Sequence, residues 1–335
     1  MATPSWKSSL LELSPELKDV VAQDVFTVSE LSNRGLIKVH GEDAETFLQN
    51  LLTNDIRKVT EATHQPSAWC SPKGRIIATF RIFKRPDGYY LSLAADLIEH
   101  VIKKMGMYVM MSKVTLEDVT DTMAHIGISG ETTESTLPAF LEDISLPAEI
   151  NQTTTNEAIS ILRIPGTTPR FEVLGEPQAI HSLWSHCLNQ VATPAHSTHW
   201  DYLNILAGLP VISKASSEAW IPQMVNYIAI GGVDFKKGCY PGQEVVARLN
   251  YLGKTKRRMY HLLIDTHDLP ATNDPVATDA DAAAGKILNA VINPEGRAEA
   301  LAILKISEVE KPLYLPVENE PSVALLDLPY SLDED

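Results

Sequence analysis

The chain has 335 residues, 44% of them hydrophobic, which is enough apolar content for two or three packed domains rather than one core. A formal net charge of −15 and a sequence pI near 5.1 argue against indiscriminate binding to nucleic acid or to an anionic membrane surface, so a polyanionic partner must find a local basic patch. No basic start followed by an apolar run opens the sequence, and no segment reaches the roughly eighteen uncharged apolar residues of a spanning helix, so the composition predicts a globular cytoplasmic monomer without membrane contact.

The readable pattern begins with a short apolar strand, Leu36–His40, then Gly41, then a helix over Glu42–Leu52. In that helix Ala44, Phe47, Leu48, Leu51 and Leu52 share one face, and Glu42, Asp43 and Glu45 lie at the start, where the helix dipole favours acids. Arg75–Lys84 and Tyr89–Leu93 read as a hairpin across Arg85-Pro86-Asp87-Gly88, with Pro setting φ and Gly taking a positive one. A helix over Asp96–Tyr108 and a strand over Lys113–Asp118 follow. A second round starts near Met123: IKVHGEDAETFL (37–48) aligns with IGISGETTESTL (126–137), matching Ile37 with Ile126, Gly41 with Gly130, Glu42 with Glu131, Glu45 with Glu134 and Leu48 with Leu137. Strands at Ala158–Ile164 and Arg170–Leu174 and a helix from Pro177 to about Gln190 complete it. A helix over His199–Ala207 stops at Gly208 and Pro210, and after Arg258 the texture becomes short β-type runs, Met259–Ile264, Lys286–Ile292 and Ala298–Ile306. The predicted class is α+β: two related β-α-β-β-α units, 1–120 (completed by about 197–245) and 121–196, and a C-terminal β-barrel over 246–335.

Three widely separated cysteines, Cys70, Cys187 and Cys239, fit a reducing compartment better than a disulfide framework. They are too few for a four-thiolate iron–sulfur site, and no C-x-x-C pair or His/Cys cluster suggests zinc, so no metal site is predicted. Cys239 stands apart, because it follows Lys236, Lys237 and Gly238 and precedes a short helix expected from Gly242. Nearby cations and a helix N-terminus favour thiolate, which would make this thiol nucleophilic or redox-active; the alternative is a packed, inert cysteine. Between 236 and 258 lie Lys236, Lys237, Arg248, Lys254, Lys256, Arg257 and Arg258 against one acid, Glu244, so seven of the chain's 28 basic residues fall in one stretch. That stretch suits a carboxylated or phosphorylated partner, the glutamate tail of a folate or an RNA backbone, unless it is only solvated surface.

Residues 234–248, DFKKGCYPGQEVVAR, with the Tyr-x-Gly-Lys-x-Lys-Arg run of 251–257, resemble the signature of the YgfZ family of folate-binding proteins. The resemblance extends to GEDAETFLQNLLTNDI (41–56), CSPKGR (70–75), WDYLNILAGLPVI (200–212), WIPQMVN (220–226) and LPYSLDED (328–335). It implies the scaffold of the glycine-cleavage aminomethyltransferase, tetrahydrofolate or a derivative as ligand, and support of iron–sulfur enzymes such as the radical enzymes that thiolate tRNA. It implies Cys239 as the functional thiol with Lys237 beside it, and Trp200 at a position associated with folate contact, where ordinary core packing is the alternative. Glu172 matches the carboxylate that holds the pterin in aminomethyltransferases, Arg34 falls where relatives can carry a second Trp, and Tyr240, Gln243 and Arg248 are further candidates for the folate. The aminomethyltransferase aspartates are missing: the matching stretch, Gly74-Arg75-Ile76-Ile77-Ala78-Thr79, has Ala78 and Thr79 where acids should stand. Neither side chain does carboxylate work at neutral pH, so aminomethyl transfer is not expected unless an acid such as Asp55 is recruited. The runner-up reading is a folate-dependent one-carbon transferase or oxidoreductase, and a direct RNA-binding module ranks last, because only Tyr240 and Tyr251 accompany the basic stretch.

Overall fold

The computed structural model of the chain describes residues 5–110, 112–141, 143–253 and 255–332; Lys254 of the basic stretch, the first four residues and the last three of LPYSLDED lie outside them. The chain forms two compact units, one of Met1–Leu48, Ile56–Gln65 and Phe80–Trp200, the other of Gln49–Asp55, Pro66–Thr79 and Asp201–Asp335.

The first unit is built around a six-stranded sheet in the order Thr193–Ala195, Thr27–Glu30, Ala124–Ser129, Arg170–Gly175, Ile159–Arg163, Thr153–Thr155. All its ladders are antiparallel except the pairing of Thr27–Glu30 with Thr193–Ala195. Side chains alternate between faces, and the two faces differ in kind. On one, Val28, Ile126, Ile128, Phe171, Val173, Ile159 and Ile161 pack against Ile180, Leu183 and Trp184 of the helix Pro177–Asn189 and Trp6 and Leu10 of the helix Trp6–Leu13. On the other, Thr27, Ser29, His125, Ser129, Arg170 and Glu172 are polar yet buried, with Gly127 paired opposite Glu172. Buried polar groups persist only when they are bonded to one another or to a ligand, which marks this face for function.

The second sheet runs Gln65–Cys70, Ile76–Arg85, Gly88–Ala94, Arg34–His40, Thr115–Asp118. Its hairpin closes with Arg85 opposite Gly88, leaving Pro86-Asp87 as the two-residue turn. The repeat expected from the sequence is present. The strand before each acidic segment, Arg34–His40 or Ala124–Ser129, pairs with the last of three following strands, Gly88–Ala94 or Arg170–Gly175. Each repeat therefore has one strand more than the hydrophobic pattern shows, because Gln65–Cys70 contains Pro66 and Thr153–Thr155 is only three residues long. Gly41 and Gly130 both take φ +117°, and a Cβ on either would collide with a backbone carbonyl, of Lys113 and of Val25 respectively. The two matched glycines thus perform one steric task twice. The first helix is shorter than the sequence suggests, Ala44–Leu51, because Asp43 and Glu42 are used ahead of it, accepting from the Lys113 backbone N–H (2.8 Å) and from its ammonium (2.6 Å).

The second unit contains a closed six-stranded barrel, in the order Arg257–Ile264, Ala298–Lys305, Asp281–Ile292, Pro275–Thr278, Leu313–Tyr314, Ser322–Leu326. Its interior gathers Leu262, Ile264, Ile287, Leu304 and the small side chains of Ala284, Ala298, Ala300 and Ala302. Alanines facing inward let so small a barrel close without overfilling.

Candidate functional site

Glu172 organises the polar face of the first unit. Trp200 Nε1 donates to its Oε1 over 3.2 Å, His125 Nε2 lies 3.3 Å from its Oε2, and Arg81 Nε is 3.9 Å from Oε1. Burial would push this carboxyl up, but the adjacent His125 imidazole, with the charges of Arg81 and Arg34, outweighs it and holds Glu172 well below the usual carboxylate range. The carboxylate is therefore ionised in a dry interior. Trp200 is fully buried: the Gly127 backbone lies against its six-membered ring, and the Arg170 guanidinium carbon sits 5.2 Å from its ring centroid.

Arg170 is 1% exposed and spends Nε on the Pro165 carbonyl (2.6 Å), while Nη1 and Nη2 have no hydrogen-bond partner. Burial, then the charge of Arg81, lower its pKa to about 9. His64 and His199 flank the cluster. Arg81 Nη1 lies 3.3 Å from His64 Nδ1, and His64 Nε2 donates to the Arg163 carbonyl over 3.0 Å. His199 Nδ1 accepts from the Val21 N–H and its Nε2 pairs with Thr27 Oγ1 over 3.2 Å. Burial, seconded by Arg81, lowers the pKa of His64 to about 3; burial and then Arg170 lower that of His199 to about 4.

Of the residues the sequence singles out, Glu172, Trp200 and Arg34 thus lie in one cluster. Arg34 is buried, and its charge acts on both Glu172 and Arg170. Arg81, His125, His64 and Arg170 are not among the site residues that the sequence suggests. A signal existed: Arg170 and Glu172, like His125, Gly127 and Ser129, stand at alternate positions of buried strands, where period two puts them on a common face. The donor set suits a pterin. An ionised carboxylate accepts from a lactam N–H and an exocyclic amine, and a guanidinium with two unspent nitrogens donates to a carbonyl or an anion.

The other sequence candidates lie in the second unit. The glycine-rich segments CSPKGR and KGCYPGQE meet there: a Cβ on Gly242 (φ +82°) would lie 2.7 Å from Gly74 Cα and closer still to the Ser71 carbonyl oxygen. Gly242 also caps the helix Gln243–Leu252, on which Gln243 is partly buried and Arg248 is exposed. Cys239 is exposed, whereas Cys70 and Cys187 are buried and burial pushes both thiols up to about 12. Lys236 points to solvent, but Lys237 is buried and its ammonium donates to the carbonyls of Gln49 (2.6 Å), Leu52 and Asn54 (3.3 Å). Lys237 thus ties down the end of the helix Ala44–Leu51 and sits 5.2 Å from the Tyr240 ring centroid, while the Tyr240 hydroxyl is buried without a partner. Ala78 is buried, and the hydroxyl of Thr79 accepts from the Ile212 N–H (3.3 Å). Among the described residues no group of three or more His, Cys, Asp or Glu could hold a metal ion, and no helix is long and apolar enough to cross a membrane.

Residues 16–176 match the model of the GCVT N-terminal domain. A crystal structure of the glycine cleavage system aminomethyltransferase T from Bartonella henselae superimposes with a TM-score of 0.73, covering 92% of this chain and 86% of that one at 13% identity, so the two share a fold. The protein of Colwellia psychrerythraea named tRNA-modifying protein YgfZ is 31% identical over 234 residues, 70% of either chain. The chain belongs to the YgfZ family. Its likeness to proteins of the same name from Klebsiella pneumoniae (29% identical) and Escherichia coli (28%) covers 92% of this chain and 94% of each of theirs, so it takes in both units. YgfZ membership and the aminomethyltransferase-like fold with its C-terminal barrel agree with the expectation drawn from KGCYPGQE and the repeat.

Proposed function

We propose that this YgfZ protein binds a reduced folate at the Glu172 cluster and serves tRNA modification, supporting iron–sulfur enzymes such as tRNA-thiolating radical enzymes through the thiol of Cys239. The observation that carries the folate part is the ionised, buried Glu172 beside Trp200 and an Arg170 whose two terminal nitrogens are unspent. Such groups are costly to bury unless a ligand completes them. Glu172 would hold the N–H edge of the pterin, Arg170 would donate to its carbonyl or to an anionic substituent, and Trp200 would fix the carboxylate by its Nε1 bond. A bound tetrahydrofolate would supply one-carbon carrying capacity at the ring nitrogen of the reduced pterin and the neighbouring aniline nitrogen. The tRNA part is supported by the names of the relatives and by an exposed Cys239 in the signature loop, reachable by a partner protein.

Two measurements test this reading. Calorimetry with tetrahydrofolate should give saturable uptake by the wild type and at least tenfold weaker uptake by Glu172→Gln, since a hydrogen bond to a charged group contributes roughly 1.5–3 kcal/mol. Thiolated tRNA should be restored in a null strain by the wild-type chain and not by Cys239→Ala, which should keep its folate affinity. Absence of folate uptake, or full rescue by Cys239→Ala, would sink the corresponding half. Turnover of a methylene-tetrahydrofolate adduct by the purified protein would replace the reading with that of a one-carbon transferase or oxidoreductase.

A further inference from the structure

A cleft of about 1140 Å³ opens in the second unit between the end of the helix Gln243–Leu252 and two barrel strands. Lys256, Arg257, Arg258 and Lys305 line it, and among its described lining residues none is acidic, in a chain whose net charge is −15. Local charge here is opposite to that of the molecule, which is what focuses an anion onto one place. The strand register sharpens the point: Arg257 stands directly opposite Lys305 across the Arg257–Ile264 and Ala298–Lys305 ladder. Like charges directly opposite destabilise a sheet unless a counter-charge is supplied. Asp281 supplies part of it by pairing with Lys305. Arg258 is oriented by donating Nη1 to the Leu332 carbonyl over 3.3 Å. Between the cations lie neutral hydrogen-bonding groups, Gln223, Asn250, Thr255 and Ser307, and the half-buried Tyr260. A smaller hollow of about 260 Å³ along the same helix shares Leu249 and Gly253 with the cleft but is lined by Glu244 as well as Arg248, so the excess of positive charge is confined to the cleft itself.

We propose that this cleft is the docking site for the phosphodiester backbone of tRNA. Its volume exceeds what one small anion fills, and its cations are spread over the segment entering the barrel and two strands rather than converging on a point. Asn250 and Thr255 place neutral hydrogen-bonding groups among the cations, which suits phosphate and ribose oxygens, the contacts that position a nucleic acid without reading its sequence. The proposal rests on the tRNA-modification reading and names where the RNA is held.

The test is fluorescence anisotropy of an unmodified tRNA transcript with the full-length protein between 50 and 200 mM salt. Four phosphate contacts predict a log–log salt slope of about −3. The double variant Lys256→Gln, Arg257→Gln, which removes two charges without burying new surface, should bind roughly tenfold more weakly at 100 mM salt with a slope shallower by about 1.5. Its thermal midpoint should be no lower than that of the wild type, since a like-charge pair is relieved, and its tetrahydrofolate isotherm should match, which separates loss of docking from loss of fold. Unchanged tRNA affinity in this variant overturns the proposal. So does displacement of the transcript by a pentaglutamate peptide at equal charge concentration, which would make the cleft a site for carboxylate tails. Either result leaves the rescue of thiolated tRNA by the wild-type chain untouched, so failure of the docking site is distinguishable from failure of the function.

Discussion

Replacing Gly127 by alanine should damage the candidate site from behind. A Cβ at this position would lie 2.6 Å from Trp200 Cζ3 and 2.8 Å from Cδ2, and closer still to Cε3. Ordinary carbon–carbon contact needs about 3.5–4.0 Å, so the ring must retreat by roughly 1 Å. The Trp200 Nε1 to Glu172 bond is already 3.2 Å long and does not survive such a move. Overpacking costs about 1–3 kcal/mol, and leaving a buried carboxylate oxygen short of a donor adds about 1–3 kcal/mol. A loss of roughly 2–6 kcal/mol therefore overrides the ordinary gain of a Gly→Ala change, about 0.5–1 kcal/mol. Gly106 is the control: it ends the helix Ile98–Gly106, a Cβ there meets nothing within 4 Å, and Gly106→Ala should be neutral or mildly stabilising. Urea unfolding measures both, and calorimetry with tetrahydrofolate should show uptake lost in Gly127→Ala alone. If Gly127→Ala is as stable as the wild type, the contact between Trp200 and the sheet backbone is not what holds Glu172 in place.

Acid should unfold the first unit earlier than its carboxylates alone would require. His64 and His199 are held below their unfolded value of 6.5, at about 3 and about 4, so their contribution to stability is complete above pH 6.5 and is lost as pH falls toward those values. Each imidazole should cost about 1.4 kcal/mol per pH unit in that window. In urea titrations at pH 6.5, 5.5 and 4.5, His199→Gln should remove about one proton's worth of that slope, and an unchanged slope would show that His199 does not titrate with unfolding. Lys237→Met should destabilise the second unit by about 2–4 kcal/mol, because three carbonyls lose one buried ammonium. A urea midpoint within error of the wild type would return Lys237 to the role of a charge serving only the neighbouring thiol.

Several layers of this molecule were legible in the residues themselves. The match of Gly41 with Gly130 marked a repeat because both positions need the same positive φ against a backbone carbonyl, a demand that survives when the surrounding side chains diverge. The turn at Pro86-Asp87 and the alternating runs of the barrel follow from local chemistry alone. Other elements were not legible. Thr27–Glu30 and Thr193–Ala195 are four and three residues long, too short for periodicity, and exist because the sheet offers them partners.

What the sequence by itself determined is the repeated plan, the family, and the identity of residues such as Glu172, Trp200 and Cys239. Their surroundings were decided only by tertiary structure. Arg34, Arg81 and His125 come from three separate segments, and the ionisation of Glu172 depends on their distances from it, which no spacing along the chain encodes. Lys237 shows the same divide: its place in the signature suggested a charge for Cys239, while folding turns its ammonium toward the carbonyls of a distant helix end. Charge composition is local and can be read from a string; electrostatic environment depends on who is near and how far water is excluded, and only the folded chain sets either.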